Sequence, residues 1–290
     1  MNSLAVPSPA KINLYLRVLG RRPDGYHRLY TLFHRISLAD SLRIWKKKSG
    51  FLLRSSDPRL LTDEDNLMTR AYRLLQMKFP RLGGVSVSLR KKIPIGGGLG
   101  GGSSNAAAFL LGMKKLYGLK ISQEALAKLG KSLGADVPFF IFNVNQAVGK
   151  GAGDDIFPRP LKRKIWFLLV LKKKGLSTKK VYRGLPPGPP AVSLTKATRA
   201  VTILCDFLGR GQICQAAKFL RNDLETSAIR LRPAIRKTIQ RLQTLGAPAR
   251  MSGSGPTVFA VFSNRRNALR AARKLLRERS NRRLLVCHTL

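Results

Sequence analysis

Acidic residues are the scarce class in this chain. Only 14 of its 290 residues are Asp or Glu, against 55 Lys and Arg, for a formal net charge of +41. Cysteine is nearly as sparse: Cys205, Cys214 and Cys287 are odd in number and lack C-x-x-C spacing. That excludes a disulfide framework and a cysteine zinc site, and points to free thiols in a reducing cytoplasm. No apolar run reaches the roughly 18 residues that would cross a bilayer, and no basic segment followed by an apolar one opens the chain, so neither a membrane partner nor a secretion signal is expected. His34 and His288 have no partners at ligand spacing and read as structural.

The excess of positive charge raises nucleic acid as a partner, since that binding is driven by phosphate neutralisation. The cations are spread over every segment, however, from Arg21-Arg22 through Arg90 to Lys92 and Lys162 to Lys164 to the C-terminal stretch. No helix-turn-helix, RNP, KH or zinc-finger signature accompanies them. Specific nucleic-acid binding is therefore not expected, although the field would draw anionic small molecules to the surface.

Glycine, by contrast, is concentrated. Six of the seven positions from Gly96 to Gly102 are glycine, and an alanine-rich helical pattern follows at once. Such a segment builds no core. Its amides, bare of Cβ atoms, can close around an anion at the positive end of the following helix dipole. A flexible linker seldom sits between an alternating strand pattern (85–91) and a well-formed helix (103–117). No lysine follows as a Walker A loop requires, and the letters of a Rossmann fingerprint occur without the opening strand of a βαβ unit. The expectation is a polyphosphate cradle. A second glycine motif, Met251-Ser-Gly-Ser-Gly-Pro256, also promises exposed backbone and could close on the same phosphates.

Most carboxylates, Asp40 among them, read as residues of polar turns or helix surfaces. Asp136 differs: it stands where a helix end meets an apolar segment, 137–144, that reads as a strand from about 139. Burying a carboxylate there costs several kcal/mol unless it is paired. Lys11, at the head of an apolar strand, is the partner considered; at about 4 Å and an effective dielectric near 20 the attraction is about 4 kcal/mol. The pair would make a base and its cation. Tyr26-His27 sits in a Pro-Asp-Gly turn, where a large aromatic can stack on a nucleobase and an imidazole can bond its edge.

Periodicity places strands at 12–19, 29–36, 42–45, 85–91, 139–144, 165–171, 257–262 and 284–288. Helices are expected at 66–79, 103–117, 122–133, 194–209, 211–221, 232–245 and 265–279, with a proline-rich loop at 186–190. The sum is an α+β chain with mostly antiparallel sheet. A basic, proline-bearing stretch at 157–164 marks the expected junction between domains 1–160 and 161–290.

Pro94-Ile-Gly-Gly-Gly-Leu-Gly-Gly-Gly-Ser-Ser104 resembles the ATP loop of the GHMP small-molecule kinases, and Met251 to Pro256 resembles their C-terminal glycine motif. Ser8-Pro-Ala-Lys-Ile-Asn-Leu14, Arg22-Pro-Asp-Gly-Tyr-His27, Asp65-Asn-Leu67 and Gly134-Ala-Asp-Val-Pro138 resemble the branch acting on a cytidine-diphosphate-linked alcohol. The resemblance implies a two-domain fold, with an N-terminal domain like ribosomal protein S5 domain 2 and a ferredoxin-like C-terminal domain. It implies ATP as co-substrate with Mg²⁺, a cytoplasmic enzyme, and a monomer or homodimer. Lys11 and Asp136 become the catalytic pair. Pro94, Ile95, Gly96, Gly97, Gly98, Leu99, Gly100, Gly101, Gly102, Ser103 and Ser104 would hold the triphosphate, with Asn66 and Lys91 near the nucleotide. Asn13, Tyr26, His27 and Tyr182 would form the substrate site, and Ser252, Gly253, Ser254 and Gly255 the second glycine turn. The family's metal-holding glutamate has no counterpart, since none lies between Glu64 and Glu124. No protein ligand to the metal is assigned, and Ser104 is the residue considered for it.

Overall fold

The computed structural model describes residues 2–60, 62–63, 65–172, 174–186, 193–278 and 283–290. Two long strands open it, β1 (Ser3–Arg21) and β2 (His27–Lys47). The two strand patterns at 29–36 and 42–45 are thus one strand; the polar residues between them do not break it, because Asp40 is buried rather than turned to water. Then come β3 (Phe51–Ser55), α1 (Leu67–Lys78), β4 (Gly84–Arg90), α2 (Gly101–Tyr117), α3 (Gln123–Lys131), α4 (Val137–Phe142), β5 (Gln146–Lys150) and β6 (Asp155–Pro158). The remainder is β7 (Trp166–Leu171), α5 (Thr178–Arg183), α6 (Leu194–Arg210), α7 (Ile213–Ala217), β8 (Arg221–Asn222), α8 (Glu225–Leu231), α9 (Ala234–Thr244), β9 (Ala249–Met251), β10 (Val258–Phe262), α10 (Arg265–Glu278) and β11 (Arg283–His288). Most of the proline-rich loop, 187–190, and position 279 of the last helical pattern lie outside the described residues.

Two expectations are overturned: the helix expected at 211–221 ends as α7 at Ala217 and gives way to strand β8 at Arg221, and the second lies beside Asp136. The apolar run after Asp136 is the helix α4, not a strand. A short, wholly apolar run has no period to distinguish the two. Pro138 in its first turn costs no hydrogen bond there, and Asn143 closes the helix at φ 56°.

Contacts divide the chain into two compact units. The first comprises Met1–Ala10, Leu38–Ile95 and Gly100–Val144. Within it β2 pairs antiparallel with β4 (Leu42 opposite Leu89), and β3 lies parallel to β4 (Leu53 opposite Val87). Helix α2 lies close on β2: a Cβ on Gly112 would stand 2.6 Å from the Ile44 Cδ1. Phe51 stacks on Tyr72 and meets Phe109 edge-on, closing the core between strand and helices.

The second unit comprises Lys11–Ser37, Gly96–Leu99 and Asn145–Leu290. Here β5 pairs antiparallel with β2 and β6, and β8 runs parallel to β1. A separate antiparallel sheet has the order β11-β7-β10-β9. Leu168, Val170, Val258 and Ala260 of that sheet share a core with Ile239 and Leu242 of α9 and with Ala271, Ala272 and Leu275 of α10. The spacing of Ala268, Ala271, Ala272 and Leu275 leaves every described cation of α10 facing water.

His34, with no exposed surface, is a structural residue of this unit. Gln146 Nε2 donates to its Nδ1 at 3.1 Å, so Nε2 carries the proton and donates to Thr289 Oγ1 at 3.0 Å. Burial depresses its pKa from 6.5 to about 3. Below pH 6.5 the unfolded chain takes up a proton that the folded chain refuses, so unfolding free energy falls as the pH falls. The expected slope is about 1.4 kcal/mol per pH unit between pH 6 and 5. Urea titrations at pH 7, 6 and 5 check it; a His34→Gln variant should lose that part of the slope.

Candidate active site

In the second unit, the glycine loop is pinned by its carbonyls. Leu176 N–H donates to the Gly96 carbonyl at 3.2 Å, Thr257 N–H to Gly97 at 3.4 Å and Lys11 N–H to Leu99 at 3.0 Å. Ser252 Oγ donates to the Gly98 carbonyl at 2.9 Å. Four successive carbonyls are thereby spoken for. Among the described residues, the amides of 96 to 99 meet no protein acceptor. Gly98, at φ 75°, turns the backbone as an anion nest requires. In the first unit, the chain continues through Gly100, at φ 68°, into α2, two residues earlier than its pattern suggests, and no side chain caps that helix. Its first-turn amides therefore keep their partial positive charge for a ligand.

The second glycine motif is buried, contrary to expectation: Ser252 has no exposed surface and Ser254 is 9% exposed. It braces the first loop. Asn222 of β8 donates to the Met251 carbonyl at 2.7 Å and to Gly253 at 2.8 Å, and the Glu225 carboxylate accepts the Met251 N–H at 3.0 Å. Burial raises the pKa of Glu225, partly offset by that hydrogen bond and the charge of Arg250. Ser254 Oγ shares a hydrogen bond with Thr178 Oγ1 at 2.9 Å.

Lys11 and Asn13 lie on β1, both almost wholly buried. Lys11 Nζ donates to Asn13 Oδ1 at 2.8 Å and stands 5.1 Å from the centre of the Phe33 ring. Tyr26 is 68% exposed, free to receive a planar partner. His27 and Tyr182, far apart in sequence, come together with ring centres 5.1 Å apart and planes 30° apart. Desolvation, then the charge of Arg21, lowers the His27 pKa.

In the first unit, Asp136 is half-buried and immediately precedes α4. Its side chain does not cap that helix. Asn66 caps α1, its Oδ1 accepting from Met68 N–H at 2.9 Å.

Asp40, expected at the surface, is instead buried and the centre of a polar network. It ion-pairs with Lys91 and accepts from the backbone of Lys92 at 2.6 Å and Ile93 at 2.8 Å, and from Asn105 Nδ2 at 2.9 Å. Asn105 also donates to Ser8 Oγ, which donates to Ser104 Oγ, both at 2.8 Å. Lys91, expected near the nucleotide, thus spends its charge on Asp40, with its side chain 4% exposed. A polar residue between two strand patterns carries no sign in sequence of such partners.

Among the described residues no group of three His, Cys, Asp or Glu could hold a metal. The Ser104 hydroxyl is 1% exposed and engaged with Ser8. Also among the described residues, no helix is long and apolar enough to cross a membrane.

The profile of the GHMP kinase N-terminal domain matches residues 66–143, and that of the GHMP kinase C-terminal domain matches 208–281. A 4-diphosphocytidyl-2-C-methyl-D-erythritol kinase of Moorella thermoacetica is 39% identical over 95% of this chain and 95% of its own. Its namesake from Cupriavidus metallidurans is 36% identical over 93% of this chain and 88% of its own. A crystal structure of 4-(cytidine 5'-diphospho)-2C-methyl-D-erythritol kinase superposes with a TM-score of 0.82 at 34% identity, covering 98% of both chains. A glycine loop with free amides on an α+β fold of this kind defines a small-molecule kinase that uses ATP. The chain belongs to the GHMP kinase family, in the branch formed by the 4-diphosphocytidyl-2-C-methyl-D-erythritol kinases.

Proposed function

We infer that this chain transfers the γ-phosphoryl group of ATP to the 2-hydroxyl of 4-diphosphocytidyl-2-C-methyl-D-erythritol. The step belongs to the non-mevalonate route to isoprenoid precursors such as isopentenyl diphosphate. One observation carries the reading: the four carbonyls of 96–99 are taken while, among the described residues, their amides meet no protein acceptor.

On this reading, backbone groups of residues 94–104, the amides of 96–99 foremost, hold the triphosphate. Asp136 accepts the proton of the attacking hydroxyl as its oxygen bonds to the γ-phosphorus. The bond from the γ-phosphorus to the bridging oxygen breaks, and ADP leaves. Lys11 steadies the charge developing on the transferred group. Catalysis of this kind is positioning plus electrostatics, so it needs few reactive side chains. Magnesium would arrive on the nucleotide's phosphates with its own waters. Tyr26, and the His27–Tyr182 pair, would take the cytosine, with Asn13 toward the erythritol. A neutral imidazole offers one donor and one acceptor to a base edge. We keep 1–160 and 161–290 as the inherited modules, because the two profiles fall on either side of that junction. Free thiols at Cys205, Cys214 and Cys287 favour a cytoplasmic setting.

An ADP-release assay with three acceptors tests the reading. Turnover is expected with 4-diphosphocytidyl-2-C-methyl-D-erythritol and not with mevalonate or homoserine, and CDP should compete with the acceptor. Comparable turnover of mevalonate or homoserine would overturn it.

A further inference from the structure

We infer that Thr31 is a positioning residue for phosphoryl transfer, acting on Lys11 through Asn13. The inference rests on the reading that Lys11 attends the transferred group. Thr31 lies on β2, is 1% exposed, and donates its hydroxyl proton to the Tyr15 carbonyl of β1 at 2.7 Å. Its oxygen is then left as an acceptor, and Asn13 Nδ2 donates to it at 2.8 Å. That settles which way the Asn13 amide faces. With its NH₂ on Thr31, its Oδ1 is turned to the Lys11 ammonium at 2.8 Å. The reverse orientation would set NH₂ against NH₃⁺.

The Thr31 rotamer is itself held. Thr31 pairs with Gly149 of β5, and a Cβ on Gly149 would stand 3.1 Å from the Thr31 Cγ2. The methyl shares the space the glycine leaves with the Phe33 ring, whose Cε2 would stand 2.6 Å from that Cβ, and the Thr31 hydroxyl is on the β1 side. The Phe33 ring, two residues along β2, presents its π-system to Lys11 Nζ. The ammonium is thus located by Asn13 and the Phe33 ring, and Asn13 in turn by Thr31, which is given no contact with the substrates. Serine keeps the hydroxyl at position 31, whereas valine keeps only the shape.

Steady-state kinetics of single and double variants tests this. Thr31→Val should lower kcat by about 30-fold with KM for ATP changed by less than about threefold, since a small misplacement of a catalytic group costs that much. Thr31→Ser should return kcat to within about threefold of wild type. In a Lys11→Ala background, Thr31→Val should lower the rate by a much smaller factor, because the ammonium it positions is gone and only the orientation of Asn13 is left to lose. The idea fails if Thr31→Val keeps kcat, or lowers it by the same factor with and without Lys11. A near-normal rate for Lys11→Ala would instead sink the role given to Lys11. Should the valine variant not fold, Thr31→Ala is read in the same way.

Discussion

Replacing Asp136 with alanine is expected to lower kcat by about 10³-fold, the usual worth of the general base it is proposed to be. The protein should stay folded. Asp136 makes no capping bond to α4, and Val137, Phe139, Phe140 and Ile141 anchor that helix in the core without it. The melting temperature should therefore shift by only a few degrees, roughly what a change of about 1 kcal/mol produces. Asp136→Asn should be nearly as slow, because an amide keeps the shape and cannot take the proton. Single-turnover measurement of ADP formation separates loss of chemistry from loss of binding. A rate within tenfold of wild type, with binding intact, would remove Asp136 from the mechanism.

The second large effect is expected at Gly98. Its φ of 75° is left-handed, and a Cβ there would stand 2.2 Å from the Ser252 carbonyl oxygen and 2.7 Å from the Gly255 amide nitrogen. Both are backbone atoms, so no side chain can swing aside. A Gly98→Ala variant must move the loop away from the second glycine turn, losing the Ser252 bond that holds the Gly98 carbonyl. Strain of about 2–3 kcal/mol is expected, or about 100-fold in KM for ATP if the pinned geometry is what binds it. Gly209 of α6, outside the cradle, is the control: a Cβ there meets nothing within 4 Å. Gly209→Ala should bind ATP as the wild type does and add up to about 1 kcal/mol of helix stability. Isothermal titration with ATP, alongside melting curves, checks both. Unchanged affinity in Gly98→Ala would show that the loop is not the cradle.

Both glycine segments could be found in the sequence because glycine announces itself locally. Helices with a clear stripe, such as α9 and α10, and strands such as β4 and β7 are equally local signals. What stayed hidden was relational. Asp40 looks like any polar residue between strands, and only the fold brings Lys91, Asn105 and two backbone amides onto its carboxylate. The apolar run of α4 has no period to betray it. The second glycine motif had the right composition for an exposed turn, yet Asn222 and Glu225 draw it inward. Thr31 gave no sign at all: its meaning depends on a glycine more than a hundred residues further along the chain.

The pairing of β1 with β8 has a bearing on how the protein is born. Tyr15 and Leu16 sit opposite Arg221 and Asn222, and Asp223 N–H donates to the Leu16 carbonyl at 2.9 Å. A nascent chain leaves the ribosome N-terminus first, so the strand carrying Lys11 waits through some two hundred residues of translation for its parallel neighbour. Until then Tyr15 and Leu16 lack the neighbour that β8 supplies, and an unpaired strand edge is a place where another strand can add.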